Sequence, residues 1–133
     1  MSSPSSCVDR GSGSVGEAVQ GVGGVFFRAG DPVALRAWYA DHLGIDMEDF
    51  GTVFTSKDGD QTVWAPFPAD TTYFGTGGQQ LMVNFRVRDL DAMLGQLRAA
   101  GVDVDDRVEE MEFGRFAWAT DLEGNRFELW EPS

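Results

Sequence analysis

The stretch GGVFFRAGDPVALRAWYADHLGID (residues 23–46) recurs with changes as LMVNFRVRDLDAMLGQLRAAGVDV (residues 81–104), at a constant offset of 58 residues. The residues identical in the two copies include Phe27 and Phe85, Arg28 and Arg86, Asp31 and Asp89, and Ala34 and Ala92. Self-similarity at a fixed period is typical of a repeated structural unit. The chain is therefore expected to hold two modules of the same fold.

Each copy predicts a strand followed by a helix. An apolar run leads into Asp31 or Asp89, whose side-chain oxygen can cap a helix N-terminus. Pro32 suits the first helical turn, and the helices are expected to end near Gly44 and Gly101. Apolar residues recur at helical spacing in both copies: Leu35, Trp38, Tyr39 and Leu43 in the first, Leu90, Met93, Leu94 and Leu97 in the second.

The second halves of the two copies also correspond. DGDQTVWAP (residues 58–66) and EGNRFELWEP (residues 123–132) both lead from a glycine turn into a strand that ends Trp-x-Pro. Two or three strands are thus expected after each helix. The predicted fold class is α+β, with two tandem βαβββ modules that form one cupped mixed sheet, because one small sheet cannot bury its own apolar face.

The closing strand carries a carboxylate, Glu128, among apolar residues. Period-two alternation places Phe127 and Leu129 on one face of this strand, and Glu128 with Trp130 on the other. Glu128 therefore faces either water at a sheet edge or a polar position in a cavity.

Length and composition limit the classes of protein. The 133 residues suit one domain, predicted at 21–133, with module one at 21–66, a linker loop at 67–80 and module two at 81–132. Residues 1–20, rich in Ser and Gly, are expected to form a flexible leader. Cys7 and His42 are the only residues of their types, which excludes an internal disulfide and a cysteine-based zinc site.

Charge points away from polyanionic partners. The net charge of -12 disfavours nucleic acid and anionic membranes as partners, because phosphate binding depends on clustered Lys and Arg. No apolar run approaches the roughly 20 residues of a membrane span, and the N-terminus lacks the plan of a signal peptide. A cytoplasmic location is expected.

Two motifs resemble the vicinal oxygen chelate superfamily, which includes glyoxalase I, extradiol dioxygenases, and fosfomycin and bleomycin resistance proteins. They are the strand-Asp-helix opening that ends Tyr-x-x-x-Leu-Gly (Asp31 to Gly44) and the closing Asp-x-x-Gly-Asn-x-x-Glu-Leu (Asp121 to Leu129). The resemblance covers residues 21–132. It implies paired βαβββ modules, a cupped mixed sheet and commonly a homodimer.

The resemblance also implies where metal-dependent members place their ligands. Motif spacing carries these positions onto Gly24, Thr62, Met82 and Glu128. Divalent metals prefer imidazole or carboxylate ligands, and Gly24 offers no side chain while Met82 offers a soft thioether. No metal and no cofactor is therefore expected. A displaced carboxylate site of Glu110, Glu112 and Glu128 remains as an alternative.

Without a metal, the chemistry of the cup depends on the other residues that point inward. The loop from Pro66 to Thr76 is dense in aromatic residues and could form a lid. Glu128 is either a desolvated proton acceptor with a raised pKa, or the partner of Arg86 or Arg28 in an ion pair that braces the sheet. The candidate ligand-binding residues are Trp64, Tyr73, Phe74, Met82, Asn84, Glu112, Arg115, Trp118 and Glu128.

Three functions are compatible with the sequence. The preferred one is a metal-free glyoxalase or bleomycin-resistance-like protein that binds a cationic or neutral organic small molecule in an aromatic-lined cup, as a homodimer. The alternative is a lyase, isomerase or dioxygenase that uses a displaced metal site or Glu128 as a general base. The third is an interaction module whose dimer surface is its function.

Overall fold

A computed structural model of the protein describes residues 16–133, in which seven strands form one sheet with two helices. Cys7 lies outside the described residues. The elements are β1 (Gly21–Ala29), α1 (Pro32–Leu43), β2 (Thr52–Thr55), β3 (Gln61–Pro68), β4 (Leu81–Arg86), α2 (Leu90–Ala99), β5 (Asp103–Met111), β6 (Gly114–Thr120) and β7 (Arg126–Pro132).

The sheet is mixed and places the two modules side by side. Its strand order is β2-β3-β1-β4-β7-β6-β5, so β1 and β4 meet antiparallel at the centre. On either side, β1 pairs with β3 and β4 with β7 in parallel. The predicted cupped α+β sheet is confirmed, with one difference: two strands follow α1 within the first module, and three follow α2 in the second.

Both helices are capped by the predicted aspartates; α1 ends at the predicted Gly44, and α2 ends at Ala99, two residues before Gly101. Asp31 Oδ1 accepts from the Ala34 amide and Asp89 Oδ1 from the Ala92 amide, each at 3.0 Å. Gly44 ends α1 with a φ of 70°, a conformation that glycine adopts without steric cost.

The two faces of the sheet carry separate apolar clusters. On the convex face, α2 buries Leu90, Met93 and Leu94 against Ala117 and Leu129. The concave face carries Phe26, Ala65, Phe74, Met82 and Trp118. Because successive residues of a strand point to opposite faces of the sheet, neighbouring residues such as Ala117 and Trp118 belong to different clusters.

Helix α1 covers its side of the sheet less completely than α2. Its 12 residues include none that is buried, and Val33, Trp38 and Leu43 remain exposed. Across residues 16–133, neither helix is long and apolar enough to cross a membrane.

The last residues of the predicted leader are held against the domain. The Glu17 amide donates to Gln96 Oε1 at 2.8 Å, and Gln96 Nε2 donates back to the Glu17 carbonyl at 2.9 Å. The Gln20 amide donates to the Arg86 carbonyl at 2.8 Å and so extends the pairing of β1 with β4 by one hydrogen bond. These contacts join Glu17 and Gln20 to the folded domain.

Candidate functional site

Strand register brings Glu128 to the middle of the concave face. Asn84 on β4 is in register with Glu128 on β7 and with Gly24 on β1. On the other side of β7, Trp118 of β6 lies opposite Glu128. The carboxylate is thus surrounded by strands from both modules rather than placed at a sheet edge.

Two side chains hold the Glu128 carboxylate. Asn84 Nδ2 donates to Oε1 at 2.6 Å, and the Tyr73 hydroxyl donates to Oε2. Glu128 is only 1% exposed, so each carboxylate oxygen depends on these protein donors. Both donors are among the candidate ligand-binding residues named from the sequence.

Within residues 16–133, the alternative in which Glu128 forms an ion pair with Arg86 or Arg28 is not what the structure shows. Arg28 donates to the Gln79, Ala69 and Thr71 carbonyls at 2.7 to 2.9 Å. Arg86 donates to the Val22 and Gln61 carbonyls at 3.2 and 2.8 Å. Both guanidinium groups therefore brace backbone segments, and neither compensates the charge of Glu128.

Burial raises the pKa of both Glu128 and Tyr73. Removal of water raises the pKa of Glu128 above its usual range, although the hydrogen bonds from Tyr73 and Asn84 oppose the shift by stabilising the charged form. Burial, and after it the charge of Glu128, also raises the pKa of the Tyr73 phenol. Tyr73 therefore remains a hydrogen-bond donor across the physiological range.

A cavity of about 610 Å³ opens on the concave face directly above Glu128. Its polar residues within the described part of the chain are few, namely Gln61, Tyr73, Asn84 and Glu128, and Glu128 is the one charged residue among them. Apolar residues and one glycine form the rest of the wall: Gly23, Phe26, Phe50, Val53, Val63, Phe67, Met111, Phe113, Phe116 and Trp130. This composition is typical of a small-molecule pocket.

The loop that follows β3 delivers Tyr73 to the cavity. Arg28 fixes the start of this loop by donating hydrogen bonds to the carbonyls of Ala69 and Thr71. Arg126 Nε donates to the Tyr73 carbonyl at 3.3 Å, and the Arg126 guanidinium also pairs with Asp105 at 3.0 Å. Residues of both modules therefore fix the position of the phenol.

One buried acceptor beside the carboxylate has no partner. Asn84 is 2% exposed, and its Oδ1 makes no hydrogen bond within the described residues. It lies over Gly23, which lines the cavity. A buried polar atom without a partner is costly, so a polar group of a bound molecule would stabilise this site.

The metal ligands implied by the superfamily do not fit the residues present. Gly24 has no side chain to offer, Met82 is fully buried, and Thr62 donates its hydroxyl to the Val22 carbonyl at 3.0 Å. Strand register also moves the fourth ligand position from Thr62 to Ala65. Phe26 in β1 corresponds to Asn84 in β4, and Ala65 lies opposite Phe26 just as Glu128 lies opposite Asn84. One carboxylate, already bound by two donors, is left for a divalent ion.

The displaced carboxylate site is not formed either. Glu110 and Glu112 are exposed, whereas Glu128 is buried. Between residues 16 and 133, no group of three His, Cys, Asp or Glu side chains could hold a metal ion. His42 lies at the C-terminal turn of α1, stacked on Trp38 with the two ring centroids 4.7 Å apart.

Three of the predicted ligand-binding residues line the cavity together: Tyr73, Asn84 and Glu128. Phe74, Met82 and Trp118 are fully buried in the concave cluster beneath it and do not line it. They support the floor, and Trp118 meets the Tyr73 ring edge-on at 6.1 Å.

Trp64 and Arg115 lie elsewhere, and Glu112 is exposed in the turn between the lining residues Met111 and Phe113 without lining the cavity itself. Trp64 packs on Phe27 at 4.8 Å between ring centroids and on Tyr39 of α1 at 6.0 Å, hence on the convex face. The prediction that Trp64 lines the cup was wrong. It aligned Trp64 with Trp130, which assumes that these two residues of β3 and β7 lie on the same face of the sheet. Arg115 faces α2 and pairs with Asp91 at 2.9 Å.

Several lining residues were missed by the sequence reasoning. Phe116 and Trp130 follow from alternation, since each lies two residues from a residue assigned to the concave face. Phe50 and Phe113 lie in turns, where periodicity gives no signal. A shared pattern in those turns, acid-Phe-Gly at residues 49–51 and 112–114, is the signal that could have found them.

Comparison with protein-family models gives a match to the glyoxalase-like domain over residues 24–130. The chain belongs to the glyoxalase-like domain family. The match spans both modules, from the first strand to the last. No curated protein sequence matches the chain.

Solved structures support the same fold. Methylmalonyl-CoA epimerase from Mycobacterium tuberculosis is 24% identical, with a TM-score of 0.61 over 86% of this chain and 89% of its own. The Streptomyces coelicolor methylmalonyl-CoA epimerase in complex with 2-nitronate-propionyl-CoA is 18% identical, with a TM-score of 0.66 over 87% of this chain and 99% of its own.

A third similar structure bears a different description. A Legionella pneumophila structure described as NAD-dependent benzaldehyde dehydrogenase is 16% identical, with a TM-score of 0.57 over 83% of this chain and 98% of its own. At these identities the likeness establishes the fold of the glyoxalase-like domain, and function has to be argued from the site.

Proposed function

We propose that this glyoxalase-like protein binds an organic small molecule in the concave cavity, with no metal ion at Glu128. One observation carries the proposal: an apolar cavity of about 610 Å³ converges on a small polar set, Tyr73, Asn84 and Glu128. Apolar walls supply affinity, and a few fixed polar groups supply orientation. The proposal includes the cytoplasmic location and the homodimer expected from the sequence.

Binding can be tested with the neutral fluorophore N-phenylnaphthylamine, whose emission rises in an apolar site. We expect saturable binding to the full chain. Val63→Phe, which adds bulk to a lining residue, should weaken it at least about tenfold through overpacking of the site. Val33→Phe, at a residue of α1 that is 66% exposed, should bind as the wild type.

Metal content is tested separately, by elemental analysis of protein purified without chelator beside its Glu128→Gln variant. We expect no stoichiometric metal in either protein, because the ligand positions lack imidazole and carboxylate groups. A stoichiometric amount of nickel, zinc, iron or manganese that disappears in the variant would overturn the metal-free proposal.

The second candidate is proton transfer by Glu128, as in a lyase or an isomerase. A buried carboxyl group that lines the cavity, with a pKa raised by desolvation, favours this candidate. The donor set gives no support to a dioxygenase, since non-haem iron sites use two histidines and a carboxylate. Glu128→Gln would then abolish turnover and still bind N-phenylnaphthylamine.

A further inference from the structure

The mouth of the cavity is framed by two turns of the same construction, one in each module. They are Glu48–Gly51, with the sequence EDFG, and Met111–Gly114, with the sequence MEFG. The end residues of each turn are paired across it, Glu48 with Gly51 and Met111 with Gly114. We call these segments the mouth turns.

Glycine is required where each mouth turn ends. Gly51 and Gly114 have φ angles of 103° and 136°, which other residues rarely adopt. A Cβ on Gly51 would lie 2.8 Å from the Ala65 Cα, and one on Gly114 would lie 2.9 Å from Trp130 Nε1. The turns therefore lie directly against β3 and β7, and this contact fixes the position of the residues at their tips.

The two tip residues of each mouth turn are an acid followed by a phenylalanine. Phe50 and Phe113 both line the cavity, yet they are 61% and 64% exposed. Asp49 and Glu112 precede them and are exposed to solvent. Each turn thus offers an aromatic ring to the cavity and a carboxylate beside it.

These carboxylates have weak or no protein partners. Glu112 forms no ion pair with any residue in 16–133, and the contact of Asp49 with Arg36 is long, at 3.8 Å, with the Asp49 side chain fully exposed. Arg115, close to Glu112 in sequence, is bound to Asp91 at 2.9 Å. Among the residues that the structure describes, 16–133, no lysine or arginine lines the cavity. The potential at the mouth is therefore negative.

We propose that the ligand is an amphiphilic organic cation, whose apolar body fills the cavity and whose ammonium group lies between the two mouth turns. The inference rests on the proposed function and deepens it. An ammonium group there would lie near one carboxylate and one phenyl ring of each turn, and both kinds of group attract cations. The unpartnered Asn84 Oδ1 at the floor points independently to a bound molecule. The net charge of -12 would also steer cations to the protein.

The test compares three naphthyl probes that share one apolar body: naphthylmethylamine, a cation, naphthylmethanol, which is neutral, and naphthoate, an anion. Their affinities are measured by displacement of N-phenylnaphthylamine at low ionic strength. We expect the amine to bind about tenfold more tightly than the alcohol, and the anion most weakly. The preference for the amine should shrink as salt screens the carboxylates.

A charge-matched pair of variants localises the effect. Asp49→Asn/Glu112→Gln should lower the ratio of amine to alcohol affinity to within about twofold, with the affinity for the alcohol kept. Asp103→Asn/Glu123→Gln removes the same charge at the far end of the β5–β6 pair, more than a Debye length of about 10 Å away, and should keep the ratio.

The outcomes separate the two proposals. If the amine and the alcohol bind equally to the wild type, or if the preference survives in the mouth variant, the cationic ligand is refuted and the binding function stands. If no probe binds and N-phenylnaphthylamine does not bind either, the proposed function fails and this inference fails with it.

Discussion

Glu128 shows how a single side chain takes its chemistry from its neighbours. An exposed glutamate on a strand would be a solvated edge charge, whereas this one is 1% exposed and accepts from Tyr73 and Asn84. Within residues 16–133 no arginine forms an ion pair with it, and burial has the largest effect on its pKa, which the charge of Arg126 lowers in turn. Its position in the apolar cavity supports the proposal that Glu128 is a polar anchor for a bound molecule.

The first prediction concerns the pH dependence of stability. Because the folded pKa of Glu128 lies above its unfolded value, its favourable contribution is complete below the unfolded pKa and is lost as pH rises through the folded pKa. Glu128→Gln cannot ionise. The melting temperature of the variant minus that of the wild type should therefore be more positive at neutral than at acidic pH.

An exposed glutamate provides the control for that measurement. Glu123 lies in the turn between β6 and β7, and Glu123→Gln should change the melting temperature by the same small amount at both pH values. A Glu128→Gln difference that is flat with pH, or that falls as pH rises, would show that burial does not raise the pKa of this carboxyl group.

At the scale of elements, β1 approaches side chains of β4 and β7 closely at Gly23, and this contact positions Asn84 against Glu128. A Cβ on Gly23 would overlap Asn84 Oδ1 and would lie 2.8 Å from the Trp130 ring. Both side chains line the cavity, and Asn84 also orients Glu128. The absence of a side chain at Gly23 is thus a condition for the geometry of the site.

The second prediction follows from this contact. Gly23→Ala should destabilise the protein by about 1–3 kcal/mol, as overpacking of a filled interior does, and should weaken binding of N-phenylnaphthylamine by displacing Asn84. Gly95→Ala is the matched control: its Cβ meets nothing within 4 Å on α2, and it should stabilise by about 0.5–1 kcal/mol. Urea denaturation measures both. Equal effects in the two variants would contradict the crowding at Gly23.

The elements were predictable from the sequence where local chemistry fixes them. The helix caps at Asp31 and Asp89 and the alternation around Glu128 were confirmed, because each depends on neighbours within a few residues. Trp64 failed because its face depends on the register between β3 and β1, which no local signal sets. Tyr73 reaches Glu128 only through a loop that Arg28 and Arg126 fix from a distance.

At the scale of the whole molecule, the two edges of the sheet differ in charge. The β5 edge carries Asp103, Asp105, Asp106, Glu109 and Glu110 with a single arginine. Such an edge opposes pairing with a second copy, since like charges would face each other. At the other edge, β2 (Thr52–Thr55) has no charged residue and exposes Val53 and Phe54. If copies associate through a sheet edge, β2 is the edge that permits it.

The last prediction therefore concerns assembly. We expect a symmetric homodimer in which β2 strands of two copies lie together, because this isologous contact would cover unpaired backbone groups and the exposed Phe54, which is 46% exposed. Phe54→Lys should shift the protein to monomer in sedimentation velocity, since two lysines would face each other across the two-fold axis. Leu122→Lys, at a fully exposed turn residue, should leave the dimer intact. A wild-type chain that is monomeric at micromolar concentration would refute the dimer, and a dimer that survives Phe54→Lys would place the interface away from β2.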